Sequence, residues 1–167
     1  MKNESGSSGR NMHVDIRVSG LARGDKEKIE DLVREEFPSP HLREILVCDK
    51  DHANEEAEKA ILGHLWSFKA QYIAEHCKPQ LSPAATAILA SMVANIAHHS
   101  SDSEKQGANE LIRHLIHDER AFVRNAIKAD GRGHFLSFSG GETEVTFKGK
   151  KLLAYVVRGL DAHERAS

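Results

Sequence analysis

Cysteine is nearly missing from the chain of 167 residues: Cys48 and Cys77 are the only two, and they form no Cys-x-x-Cys pair. That excludes a zinc ribbon and a disulfide framework, and both are read as buried thiols. There is no excess of one charge. The 23 Lys plus Arg and 25 Asp plus Glu leave a net −2 with histidines neutral, which argues against a nucleic-acid partner, because counterion release needs a dense basic surface. No apolar run reaches the roughly 18 to 20 residues of a membrane span, and the opening Met-Lys-Asn-Glu-Ser-Gly-Ser-Ser-Gly-Arg lacks the apolar core of a signal peptide. The expectation is a cytoplasmic protein with no membrane partner. Proline is scarce, and Pro38, Pro40, Pro79 and Pro83 all stand at expected helix ends. What the chain has in excess is histidine, 11 residues, which keeps metal or pH chemistry open.

The pattern reads as a single α+β domain over residues 12–158, between a flexible tail at 1–11 and a polar tail at 159–167. Met12, Val14, Ile16 and Val18 alternate with His13, Asp15 and Arg17 as a half-buried strand. Ile29, Leu32, Val33 and Phe37 then fall at helical spacing behind Asp25, and Ile45 to Cys48 form a second strand, completing a β-α-β start. The middle is a bundle of about four helices. The first runs from Glu55 to Cys77 with a wide apolar arc that includes Leu65, Trp66 and Phe68. The next is the uncharged, alanine-rich Pro83–His99. Then come Glu104–His117 and a helix capped by Asp118 that Gly131 ends. The last third reads as a three-stranded antiparallel meander with two-residue turns at Gly140-Gly141 and Gly149-Lys150. Those registers put His134, Leu136, Phe138, Val145, Phe147, Leu152, Ala154 and Val156 on one face. Phe135, Ser137, Glu142, Glu144, Thr146, Lys148, Lys151 and Tyr155 fall on the other, wet face.

Three constellations bear on function. Glu110, His114, His117 and Asp118 are spaced 0, 4, 7 and 8 on one helix, and carboxylate with imidazole at i and i+4 is a metal-ligand geometry. No second E-x-x-H completes a site, so a solvated polar face fits that spacing better, and no cofactor is expected. Asp130-Gly131-Arg132-Gly133-His134 is the most site-like stretch: paired glycines let a ligand or chain approach closely, and Arg132 there is a natural carboxylate clamp. A helix end followed by entry into a strand explains the same glycines without function. On the wet face of the meander, Glu142 and Glu144 lie near Phe135 and Tyr155, a mixture of charge and aromatic surface suited to protein contact. His64 reads as a half-buried imidazole in need of a partner, and Trp66 as core unless it proves exposed.

Leu65-Trp66-Ser67-Phe68-Lys69-Ala70, then Gly131-Arg132-Gly133-His134-Phe135, then Ser139-Gly140-Gly141-Glu142 and the terminal Tyr155-Val156-Val157-Arg158 follow one another in a characteristic order. In that order the chain resembles a family of small tailed-bacteriophage proteins of no assigned activity, with a Gly-x-Gly-His-Phe segment and a C-terminal β-hairpin. In the turn this chain has Phe138-Ser139-Gly140 where the family has Tyr-Asp-Gly. The resemblance implies a phage or prophage accessory protein that is not an enzyme. It would bind and modulate, or inhibit, a bacterial host protein, and the site-like residues read from the sequence itself, Arg132, His134, Phe135, Glu142, Glu144 and Tyr155, are then the expected binding residues. Two alternatives stay open: a metal-dependent hydrolase or metal-binding protein using Glu110, His114 and His117, and a structural homodimer built on Pro83–His99.

Overall fold

The structure, a computed structural model, describes residues 15–19, 21–37 and 43–159. It is a mixed α+β chain. The expected strand residues Met12 to Val14 and both expected tails, apart from Gly159, lie outside the described residues. Two compact units emerge. One combines the chain up to Lys50 with the chain from Ser137 onward, and the other is Asp51–Leu136.

The first unit contains one four-stranded sheet. Strand β1 (Asp15–Ser19), helix α1 (Lys26–Glu36) and β2 (Arg43–Cys48) form the β-α-β start, and β3 (Thr143–Phe147) and β4 (Lys150–Gly159) form a hairpin. The order is β1-β2-β4-β3, with β1 parallel and β4 antiparallel to β2. Two ends of the sequence therefore share one sheet. Strand alternation sends Ile45, Val47, Val145, Leu152 and Ala154 to one face, where Ile29 and Val33 of α1 cover them. On the opposite face Leu46, Cys48, Leu153 and Tyr155 are buried as well. Central strands buried on both faces read as continuous apolar runs, which is the sequence of β2 and of most of β4.

The C-terminal meander is corrected in two places. Its expected first strand is absent, because the chain restarts as helix α7 (Arg132–Leu136) directly after Gly131, with Gly133 and Leu136 buried three residues apart. A short alternating run such as His134 to Phe138 also fits one helical turn, and the turn expected to pair it fails. Strand β3 is hydrogen-bonded to β4 alone, so the pairing of Ser139 with Glu142 expected across Gly140-Gly141 is not formed. Phe138, expected in the core, is 79% exposed. The second hairpin turn does form, but at Lys148-Gly149, with φ of 48° and 76°. The turn sits one position earlier than expected, so the partner of Phe147 becomes Lys150 instead of Leu152. A shift of two preserves the parity of the strand, and Val145, Leu152 and Ala154 keep the face assigned to them.

The second unit is helical: α2 (Lys50–Gly63), α3 (Ala70–Glu75), α4 (Pro83–His99), α5 (Asp102–Leu115), α6 (Glu119–Asp130) and α7. Ile61, Leu65, Ile73, Ile112 and Phe122 are at the centre of its core. The single helix expected from Glu55 to Cys77 is broken at Gly63, with a 3-10 turn over Leu65–Ser67. Asn109 of α5 holds the break: its Nδ2 donates to Gly63 O, and its Oδ1 accepts the Trp66 N–H at 3.2 Å. One amide thus satisfies a donor and an acceptor that the interrupted helix would leave open.

The remaining helix ends follow local chemistry. The Ser82 hydroxyl accepts the Ala85 N–H ahead of α4, which begins at Pro83. Ser101 and Glu104 make a reciprocal capping box on α5. Asp118 accepts the Ala121 N–H at 3.0 Å, and Gly131 with φ 80° closes α6. The Ser101 backbone N–H, then its hydroxyl, hold the Glu104 carboxyl below its ordinary 4.5. The Ala121 N–H does the same for Asp118 below 3.8. Depressed carboxyl pKa values contribute stability that is present above the unfolded values and lost as pH falls through them toward the folded ones. Melting temperature should therefore drop in acid below about pH 4.5. In Glu104→Gln with Asp118→Asn, measured by circular dichroism, that acid limb should flatten in part, since Glu119, held down by Arg113, titrates in the same window.

Candidate binding cleft

The aromatic residues of the helical unit gather at one place. Phe122 of α6 is fully buried, and its ring meets Phe68 at 5.0 Å and Tyr72 at 4.8 Å, both edge to face. Phe68 in turn stacks on Tyr72 at 5.5 Å and on Phe135 of α7 at 6.0 Å. These spacings are the offset and T-shaped arrangements that ring quadrupoles favour. The Tyr72 hydroxyl donates to Phe122 O at 2.9 Å. Burial first, then the Asp130 and Glu75 carboxylates, push its pKa up to about 12, so the phenol stays a donor at neutral pH. Behind it, His76 Nδ1 donates to Tyr72 O at 2.9 Å, which leaves Nε2 to accept from Asn125 Nδ2 at 3.2 Å. The cluster is cross-braced from three helices and the 3-10 turn.

Above this floor opens a cleft of about 720 Å³, lined by Phe68, Tyr72 and Phe135 together with His64, Lys69, Asp130 and His134. Phe68, Tyr72 and Phe135 are half-buried, whereas the four polar residues are exposed at its rim. An apolar floor with a few polar groups above it is the usual composition of a ligand or anchor pocket, and the volume falls in the usual range.

Of the residues expected from sequence, His134 and Phe135 line this cleft. Arg132 does not: its Nη1 donates to Asn54 Oδ1 of α2 at 3.2 Å, tying the start of α7 to α2. His64 was expected half-buried and is exposed, with Nδ1 3.0 Å from Ala60 O. Trp66 is half-buried in the helical unit, under the Lys105 ammonium at 5.1 Å. Glu142, Glu144 and Tyr155 belong to the other unit. The expected wet face does not exist around Tyr155, which is 0% exposed with its hydroxyl donating to Glu142 Oε2. Leu46, Cys48 and Leu153 on the same face are buried too, so this face of the sheet is covered rather than wet. Glu144 on the edge strand β3 is exposed and pairs with Lys151 Nζ at 2.8 Å.

The Glu110, His114, His117 constellation is not brought together as a ligand set. Helix α5 ends at Leu115, and Ile116 leaves the helix in extended conformation, so His117 departs from the face that carries the other two. His114 Nδ1 lies 2.7 Å from Glu110 O, a backbone bond. Among the described residues no three His, Cys, Asp or Glu side chains are placed to hold one ion. No described helix is long and apolar enough to cross a membrane.

Sequence reasoning missed Phe68, Tyr72 and Lys69 as cleft residues, whereas Asp130 belongs to the stretch that it singled out. Phe68 and Tyr72 were visible as an i, i+4 aromatic pair, but a stripe of that kind reads equally as core. The chain matches no protein-family model, no curated protein and no solved structure.

Proposed function

We propose that the chain is a non-enzymatic accessory protein of phage type that binds and modulates a bacterial host protein, and that the aromatic cleft of its helical unit is the contact. The observation that carries this reading is the stacked floor of Phe68, Tyr72 and Phe135 beneath an open rim. Rings already locked against one another lose little freedom when a partner side chain enters, and apolar anchors seated in such pockets dominate protein interfaces. The phage context and the host partner rest on the resemblance of the Gly-Arg-Gly-His-Phe segment and its neighbours. His134 and Phe135 of that segment lie at the cleft.

Ala129 is exposed at the cleft rim, so Ala129→Trp fills the cleft without removing a core contact. The wild-type protein, immobilised, should retain a defined host protein from bacterial lysate. Titration of that purified protein into the Ala129→Trp variant should show affinity reduced by about tenfold or more, on the scale of one lost anchor. Expression of wild type should alter host growth and expression of the variant should not. Equal affinity of the two forms, with equal helical circular dichroism, would remove the cleft from the interface.

A further inference from the structure

Along α6, Arg120, Arg124 and Lys128 recur every four residues, and all three are exposed. Such a stripe would ordinarily be matched by acids on its own helix or the next. Here the two acids at the start of the helix are committed. Glu119 binds Arg113 through both carboxylate oxygens, at 2.5 and 2.8 Å. Asp118 feels the Arg124 charge but is spent first on the Ala121 N–H. Asp130 stands at the rim of the aromatic cleft. No ion pair or side-chain hydrogen bond engages Arg120 or Arg124 among the described residues.

The two guanidinium groups also face something. A groove of about 260 Å³ runs between α2 and α6, with Asn54 and Glu58 on one wall, Arg120 and Arg124 on the other, and Val123 and Ile127 as apolar lining. We propose that this groove docks an acidic segment of another protein, each arginine forking onto one carboxylate while an aliphatic side chain rests on Val123 and Ile127. Side chains four apart on a helix stand about 6 Å from each other, so carboxylates at i and i+4 of a partner helix match the arginine spacing. The apolar lining of Val123 and Ile127 suits the aliphatic side chains of a peptide better than a phosphate backbone. The site stands whether or not the aromatic cleft is filled, since the two share no lining residue.

The test is fluorescence anisotropy with a fluorescein-labelled helical peptide carrying Glu at i and i+4 around leucine, against the full chain. Saturable binding should weaken about tenfold or more in Arg120→Glu with Arg124→Glu, and comparably when salt is raised from about 50 to about 300 mM. Arg120→Gln with Arg124→Gln serves if charge reversal disturbs the circular dichroism, and Ala129→Trp should bind as wild type does. Absence of saturable binding, undiminished binding by the arginine variants, or tighter binding of a single-stranded oligonucleotide of equal charge would each overturn the assignment. The last would transfer the groove to phosphate.

Discussion

Tyr155→Ala is expected to unfold the sheet-bearing unit rather than to weaken a surface contact. The ring is fully buried in the central strand β4, whose neighbours on the same face, Leu46 and Leu153, are also buried. Truncating a buried aromatic ring to alanine costs about 3–5 kcal/mol, through lost transfer energy and the cavity left behind. For a chain of this size that lowers the melting temperature by about 6–20 °C. Tyr155→Phe keeps the volume and removes only the hydroxyl that donates to Glu142. It should cost about 1 kcal/mol, because the exposed Glu142 carboxylate regains water. Differential scanning calorimetry separates the two variants. Hydrogen exchange should show the Tyr155→Ala loss in the amides of β2, β3 and β4. A melting temperature for Tyr155→Ala within about 2 °C of wild type would mean the residue is not the packing element described.

Tyr155 also shows where sequence reasoning succeeds and where it stops. Caps and turns are written within four residues, and they were legible: Ser82-Pro83 opens α4, Asp118 opens α6, and Gly131 ends it. The β-α-β start was legible because two strands and a helix of different period stand side by side. The burial of Tyr155 was not, because it depends on β4 pairing with β2, more than a hundred residues away. Alternation alone assigns a residue to a face and cannot say whether that face is covered. The break after Gly63 has the same cause, since the amide that stabilises it comes from Asn109. At the candidate site the Gly-Arg-Gly-His-Phe segment pointed to His134 and Phe135 through its glycines. Phe68 and Tyr72 join them only once α3, α6 and α7 have packed. Arg132, the most suggestive of those residues, is turned toward Asn54 instead.

Phe122→Ala should be the most damaging change in the helical unit, and it should abolish cleft binding although Phe122 lies beneath the cleft rather than in it. The ring has no exposed surface and makes edge-to-face contacts with Phe68, Tyr72 and His76, at 5.0, 4.8 and 5.0 Å. Its truncation removes about 3–5 kcal/mol of burial, and aromatic pairs of this geometry add about 0.5–1.5 kcal/mol each beyond area. Phe68 and Tyr72, the cleft floor, lose the surface that fixes their rings. Phe122→Leu retains most of the apolar volume and should cost less than half as much while still loosening the floor. Binding of a cleft ligand should therefore fall in Phe122→Leu at a temperature where circular dichroism shows the protein folded. That outcome separates positioning from stability: Ala129→Trp should block the cleft with the melting temperature unchanged, whereas Phe122→Leu should weaken binding and lower the melting temperature together. If Phe122→Leu binds as tightly as wild type, the partner does not depend on the stacked floor, and the role of the cleft as the contact fails with it.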